Sequence, residues 1–268
     1  MDRPTAARFL FALTFIALGV IGLMSGTFAP SWQPVPETAP DREPLFYFSV
    51  TASLACGTGL LARRTAAAAA LALLVVLLVW TALFKFPFIV RAPLEEVSYQ
   101  TNGENFVLIA ASWVLYAGLA KAPAFPGGEV GLRIAYLLYG LALIAFGLSH
   151  VFYLEMTAPL VPAWLPGPVF WAYSTGVIYL LAGIVIATGL ATRPGTLAAA
   201  AQITLITLLV WGPMVLTGPL SDMHWQETMV SLALTAGALV LASAPLPAKA
   251  SNRDHFPRRR SAASDNRR

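Results

Sequence analysis

Thr65-Ala66-Ala67-Ala68-Ala69-Ala70-Leu71-Ala72-Leu73-Leu74-Val75-Val76-Leu77-Leu78-Val79-Trp80-Thr81-Ala82-Leu83-Phe84 contains no charged side chain. A helix of about 20 such residues crosses the ~30 Å hydrocarbon core of a bilayer. The run shows no apolar–polar alternation, so a helix, which pairs its own amides, is preferred to a barrel strand. Its tetrapeptide Leu77-Leu78-Val79-Trp80 returns as Leu208-Leu209-Val210-Trp211.

Similar echoes recur along the chain. Arg8 opens a run that ends at Gly22-Leu23-Met24, and Arg133 opens one that ends at Gly147-Leu148-Ser149. Thr58-Gly59-Leu60 with Arg63 returns as Thr188-Gly189-Leu190 with Arg193, and Glu104 is matched by Glu227. These pairings imply an ordered but gapped duplication. The expected fold is an all-α membrane protein of eight transmembrane helices, built as two parallel four-helix repeats. The expected spans are Arg8–Thr27, Leu45–Ala62, Thr65–Phe84, Asn105–Lys121, Leu132–Val151, Val169–Thr192, Thr196–Leu216 and Thr228–Ala244. Residues 1–121 form the first repeat and 122–131 a cytoplasmic linker. Residues 132–246 form the second repeat, and 247–268 a basic, disordered cytoplasmic tail.

Composition supports this class. Hydrophobic residues make up 57% of the 268 and charged residues 11%, against about a quarter charged in soluble domains. The net charge of +4 comes from the tail and is no nucleic-acid footprint. Cys56 stands alone, which excludes an intrachain disulfide and any cysteine-based zinc or iron–sulfur site. The first span resembles a signal peptide, but its repeat partner lies mid-chain, so it reads as a retained helix.

Arg3, Arg8, Arg63, Arg64, Lys121, Arg133, Arg193 and the basic tail fall on one side of these spans. Arg42, Lys85 and Arg91 fall on the other. The positive-inside rule then predicts both termini in the cytoplasm, and the short loops suggest a bacterial inner membrane. Four spans per repeat place both copies in the same orientation, related by an axis along the membrane normal.

The informative side chains gather on the external side. Prolines between Pro159 and Pro168 forbid a regular helix, yet the segment is apolar and aromatic. It is expected at the membrane interface or folded into the mouth of the bundle. His150, Glu155 and Trp164 in and around it are candidate ligand or proton-handling residues. Asp222 and His224, before the last span, are further candidates. Glu104 and Glu227 are expected at the starts of spans 4 and 8, as helix-terminal carboxylates or as a paired acidic site on the repeat axis. For each histidine the plain alternative is an interfacial side chain bonded to a loop carbonyl. The spans otherwise hold almost no ionisable residues, which argues against a polar transport path. No metal site, nucleotide-binding loop or haem ligation pattern is read.

The segment Ser149-His150-x-Phe152, Val161-Pro162-x-Trp164-Leu165-Pro166, Trp171-Ala172-Tyr173 with Gly176, and Gly183 with Thr188-Gly189-Leu190 resembles the DoxX family of small membrane proteins. The likeness covers about Arg133 to Ala244. The first half matches only in outline, with Ser25 where the second half has His150. DoxX-like proteins are four-helix units, so the chain resembles two fused. The resemblance implies an association with membrane redox systems. The leading reading is a membrane subunit or quinone-side partner of a redox or stress-related complex, with quinone as candidate ligand and a soluble oxidoreductase as candidate partner. No internal cofactor is identified in the residues, and catalytic activity of the chain's own is left open. A small-molecule transporter or channel, and a structural or assembly protein without a ligand, are the competing readings.

Overall fold

The computed structural model describes residues 3–28, 33–121, 124–217 and 222–246, apart from the side chains of residues 217, 222–224 and 226. The basic tail therefore lies outside the described residues. Among those described the chain is helical, without a strand. The long helices are α1 (Arg3–Ser25), α2 (Arg42–Leu61), α3 (Ala66–Arg91), α4 (Glu96–Ala120), α5 (Glu129–Phe152), α6 (Pro168–Ala187), α7 (Thr192–Leu216) and α8 (Asp222–Ser243). The first seven are long and apolar enough to cross a membrane. In α8 the apolar stretch is shorter, Glu227–Ser243.

Several boundaries differ from the sequence expectation. Helix α3 does not stop at Phe84 but continues to Arg91, and α4 begins at Glu96, nine residues before the expected Asn105. Polar residues Ser98 to Asn105 lowered the apparent hydropathy, yet the helix runs through them, with Asn102 donating to the Ser98 and Lys85 carbonyls and Asn105 to Thr81 Oγ1. The expected long external loop shrinks to residues 92–95. Helix α6 stops at Ala187, where Thr188 and the left-handed Gly189 (φ 72°) turn the chain, rather than reaching Thr192. Helix α5 opens at Glu129, so the expected linker is partly helical; its residues 122 and 123 lie outside the described residues.

Each helix packs on its successor, α8 closes on α1, and α4 touches α8 across the centre. Two lobes result, one walled by α1–α4 and the other by α5–α8, with α4 and α8 as the shared spine. Helices α5 and α6 make the closest approach. A Cβ on Gly140 would stand 2.7 Å from the Gly183 carbonyl oxygen, and one on Gly147 2.8 Å from that of Gly176. Glycines at these crossings let the backbones touch, as in other membrane helix pairs.

Helices α3 and α7 each contain a five-residue π turn, Thr81–Lys85 and Thr207–Trp211. The Phe86 amide donates to the Thr81 carbonyl, and the Gly212 amide to that of Thr207. Each turn has a proline two residues beyond it, Pro87 and Pro213. Proline has no amide hydrogen and crowds the carbonyl four residues back, so the ladder widens locally instead of breaking. The widened turn changes the direction of the side chains that follow.

The spacing of these elements is regular. Arg42–Leu61 and Pro168–Ala187 have 20 residues each, Ala66–Trp80 and Thr192–Ile206 have 15, and the two π turns have 5. In every pair the second member begins 126 residues after the first. Trp80 closes the regular α-turns of α3, whereas Trp211 closes the π turn of α7, so the two tryptophans are not at like positions. Glu104 and Glu227, 123 residues apart, are also out of this register. Leu-Leu-Val-Trp is a short string in a Leu- and Val-rich chain, whereas the Thr-x5-Pro pattern of Thr81 to Pro87 and Thr207 to Pro213 marks a conformation.

At the basic end of the bundle, Arg193 donates to the carbonyls of Ala242 (2.8 Å) and Ala244 (3.0 Å), capping α8. A cation at a helix C-terminus satisfies open carbonyls and meets the negative end of its dipole. Trp113 donates to the Pro126 carbonyl at 2.8 Å, tying α4 to the connection before α5.

Candidate functional site

Helices α5–α8, with Gln100 and Glu104 of α4, line an open cavity of about 730 Å³, within the range of ligand pockets. Its walls are largely apolar. Its mouth is roofed by the proline-rich segment after α5, where Leu160, Val161, Pro162, Trp164 and Leu165 line it. That segment holds two short turns, Leu154–Thr157 and Ala158–Leu160, before the chain becomes extended at Val161. Trp171 donates to the Pro166 carbonyl at 3.1 Å, fixing the end of the roof to α6.

Polar groups enter the cavity from four helices. His150 on α5 has its Nδ1 2.8 Å from the Phe146 carbonyl oxygen. A carbonyl only accepts, so Nδ1 carries a hydrogen and, in the neutral ring, Nε2 is the acceptor. The plain alternative for this histidine is modified accordingly: its carbonyl partner belongs to its own helix, not to a loop. The ring sits 5.8 Å from that of Tyr179 on α6. Gln202 on α7 donates to the Thr175 carbonyl at 3.0 Å, and Tyr179 lines the cavity beside it. Thr207, in the π turn, shares hydrogens with Ser231 Oγ (2.6 Å) and Thr235 Oγ1 (2.8 Å) on α8.

The wall shared with the first lobe is charged. Lys85, the last residue of the first π turn, is fully buried. Its Nζ donates to Glu104 Oε2 at 3.0 Å and to the Thr101 carbonyl at 2.7 Å. Asn102 Nδ2 returns a bond to the Lys85 carbonyl at 3.0 Å. The opening of the ladder at the π turn therefore aims Lys85 at α4. Glu104 and Glu227 both line the cavity. Glu104 lies well inside α4 and pairs with Lys85, so the helix-terminal role expected for it is corrected: the helix begins at Glu96. A further carboxylate, Glu96, is buried and accepts from Ser149 Oγ at 2.8 Å.

Of the residues singled out in the sequence, His150, Trp164, Glu104 and Glu227 come together on this cavity. Glu155 is exposed and is not among its lining residues. The side chains of Asp222 and His224 lie outside the described residues. Among the described residues no cluster of three or more His, Cys, Asp or Glu side chains is placed to hold a metal. Sequence reasoning missed Lys85, Glu96, Tyr179 and Gln202. The expectation that the spans lack ionisable groups is also corrected, since Lys85, Glu96 and Glu104 all lie in helices of membrane-spanning length.

The first lobe has a cavity at the corresponding place, of only about 20 Å³. Ser49, Ser53, Val76, Leu77, Trp80 and Asn105 line it. Moving each by 126 gives Thr175, Tyr179, Gln202, Ile203, Ile206 and Ser231, all of which line the large cavity. Trp80 on its wall belongs to an aromatic cluster: Phe28 packs on Phe46 (5.6 Å) and Trp80 (5.9 Å), and Trp80 on Phe84 (4.9 Å). The same shift takes Phe28, Phe46, Trp80 and Phe84 to Leu154, Ala172, Ile206 and Val210. Smaller side chains at these places leave the second lobe hollow.

No family model, curated protein or solved structure matches the chain.

Proposed function

We propose that the chain is a tandem pair of parallel four-helix repeats, eight spans in all, whose second repeat binds a lipid-soluble ligand of the quinone class. In this reading it is a DoxX-like membrane subunit of a redox complex, placed in a bacterial inner membrane with both termini in the cytoplasm. A soluble oxidoreductase is its partner.

The observation that carries the ligand reading is the cavity and the side on which it opens. Ala198, Ala201 and Leu205 of α7, with Trp171 and Ile178 of α6, line the cavity and are themselves exposed. In this reading the seam, which runs along α6 and α7, faces the bilayer. An apolar ligand can enter from lipid between α6 and α7 without crossing water. His150, Tyr179 and Gln202 stand inside, where they present an acceptor and donors to a carbonyl- or hydroxyl-bearing head group. Of the residues that carry the DoxX resemblance, Ser149-His150, Val161-Pro162, Trp164-Leu165 and Trp171-Ala172 line the cavity, whereas Phe152, Pro166, Tyr173, Gly176, Gly183 and Thr188-Gly189-Leu190 do not.

The repeat reading is supported by the constant 126-residue spacing, by the paired π turns and by packing neighbours that map onto themselves when helix numbers shift by four. The cytoplasmic placement of the termini rests on the excess of arginine and lysine at the end of the bundle opposite the cavity.

The direct test is purification in mild detergent, followed by organic extraction and chromatographic assay for quinone. About one quinone per chain is expected. Protein that extracts free of quinone, and whose tryptophan fluorescence is unchanged by added short-chain quinone, overturns the ligand reading. A soluble oxidoreductase recovered in the same preparation supports the subunit reading.

A further inference from the structure

The small cavity of the first lobe carries two complementary polar atoms that nothing among the described residues satisfies. Trp80 Nε1 on α3 is a donor and Asn105 Oδ1 on α4 an acceptor, and both are buried without a hydrogen-bond partner. Trp80 is 5% exposed and Asn105 1%, so bulk water does not serve them either. Both side chains line the cavity of about 20 Å³. Ser49 and Ser53 of α2 line it too. Their hydroxyls donate to the carbonyls of Phe46 (2.9 Å) and Ser49 (2.8 Å) and keep their capacity to accept.

The second lobe shows how this arises. Asn105 Nδ2 donates to Thr81 Oγ1 at 2.9 Å, and 126 residues on Ser231 Oγ meets Thr207 Oγ1 at 2.6 Å. Each pair ties the threonine that opens a π turn to the next long helix. Asparagine makes that bond with one atom and brings a second, Oδ1, which serine lacks. Ile206, at the place of Trp80, has no donor. The spare acceptor and the spare donor therefore occur together in the first lobe.

Size and charge select the occupant. None of the described residues lining the cavity is charged. A cation would suit the oxygens and be repelled by the indole N–H, and an anion would meet the reverse. An apolar group would leave both atoms unpaired, which buried polar groups rarely tolerate. A buried water needs about 10–15 Å³ and two to four polar partners. The cavity offers both.

We propose that the first lobe holds one ordered water molecule, which accepts a hydrogen bond from Trp80 Nε1 and donates one to Asn105 Oδ1. Its second hydrogen goes to a serine oxygen of α2, so the water joins α2, α3 and α4. The site is independent of the ligand reading and gives the two lobes different contents.

A crystal structure of the full chain, grown from lipid and fine enough to show ordered water, tests this. One density peak is expected within about 3.2 Å of both Trp80 Nε1 and Asn105 Oδ1. A cavity without such a peak, or with one that reaches only one of the two atoms, overturns the proposal. So does a Gln33 amide turned inward to bond them directly, since Gln33 is half-buried on the same wall. Nuclear magnetic resonance of the indole groups in detergent gives a second reading, with the Trp80 signal identified by its loss in Trp80→Phe. Its indole proton is expected to show a dipolar cross-peak to water that survives Gln33→Leu and disappears in Asn105→Leu. A cross-peak absent from wild type, or unchanged by Asn105→Leu, also overturns the proposal. The wild-type crystal structure keeps the test decisive if a variant fails to fold.

Discussion

Lys85 and Glu104 meet at 3.0 Å inside the bundle and join the π turn of α3 to the body of α4. The pair is local to neither helix; they are 19 residues apart and come together because Pro87 widens the turn that carries Lys85. Its position fixes how the two lobes share a wall.

Removing one partner of a buried ion pair strands the other. Lys85→Met is expected to lower stability by about 3 kcal/mol, because Glu104 keeps its burial and loses its cation. The double change Lys85→Met with Glu104→Gln is expected to recover most of that loss. Thermal melts of the two singles and the double in one detergent give the coupling directly. Additive losses would mean that the pair contributes no coupling.

The α5–α6 crossing reverses the ordinary ranking of glycine and alanine. In a helix interior alanine is better by about 1 kcal/mol. At Gly183 a Cβ would stand 2.6 Å from the Gly140 carbonyl oxygen, so Gly183→Ala must push two backbones apart. The expected result is a loss of about 2 kcal/mol or more. Gly118 has no atom within 4 Å of such a Cβ, and Gly118→Ala is expected to be neutral or mildly stabilising. Equal melting shifts in the two variants would contradict the packing argument.

Trp80 is the centre of the aromatic filling in the first lobe, in contact with Phe28 and Phe84. Trp80→Ala is expected to cost about 3–5 kcal/mol, the range for a large aromatic truncated in a packed core. Ile206, at the corresponding place in the hollow lobe, is a cavity wall and not a plug. Ile206→Ala is expected to cost less than half as much. Comparable losses at the two positions would show that the second lobe is packed as tightly as the first.

The helical character of the chain and the membrane-spanning length of its helices were legible because apolar length alone carries them. Ala66–Phe84 and Leu132–Val151, all but one residue of the two expected spans, fall inside helices. The polar start of α4 was not legible. Hydropathy treats Ser98, Asn102 and Asn105 as reasons to end a span, while in the bundle Asn102 bonds the Ser98 and Lys85 carbonyls and Asn105 bonds Thr81. The same blindness placed Lys85 in a loop. One signal was available: a proline just beyond an apolar run, preceded at the same interval by threonine, in both halves of the chain. Half of the candidate site was readable, since His150 and Trp164 sit beside unusual proline spacing. Gln202 and Tyr179 were not, because a single glutamine or tyrosine in a helix has no local signature until its neighbours are known.

The route into the cavity gives the sharpest test of the lipid-soluble ligand. Ala198 and Ala201 are small, exposed and on the cavity wall, and they stand on α7 where it faces α6. A small residue at a seam leaves room that a large one fills. Ala201→Trp is expected to close the seam while leaving the outer mouth beneath Trp164 open. If the ligand arrives from the bilayer, quinone recovered with the variant falls at least tenfold, with little change in melting temperature of the ligand-free protein. If it arrives through the mouth, Ala201→Trp leaves recovery unchanged, and Leu165→Trp in the roof lowers it instead. Both variants change surfaces away from the α5–α6 crossing and the Lys85–Glu104 pair, so a loss of ligand in either one reports the path rather than the fold.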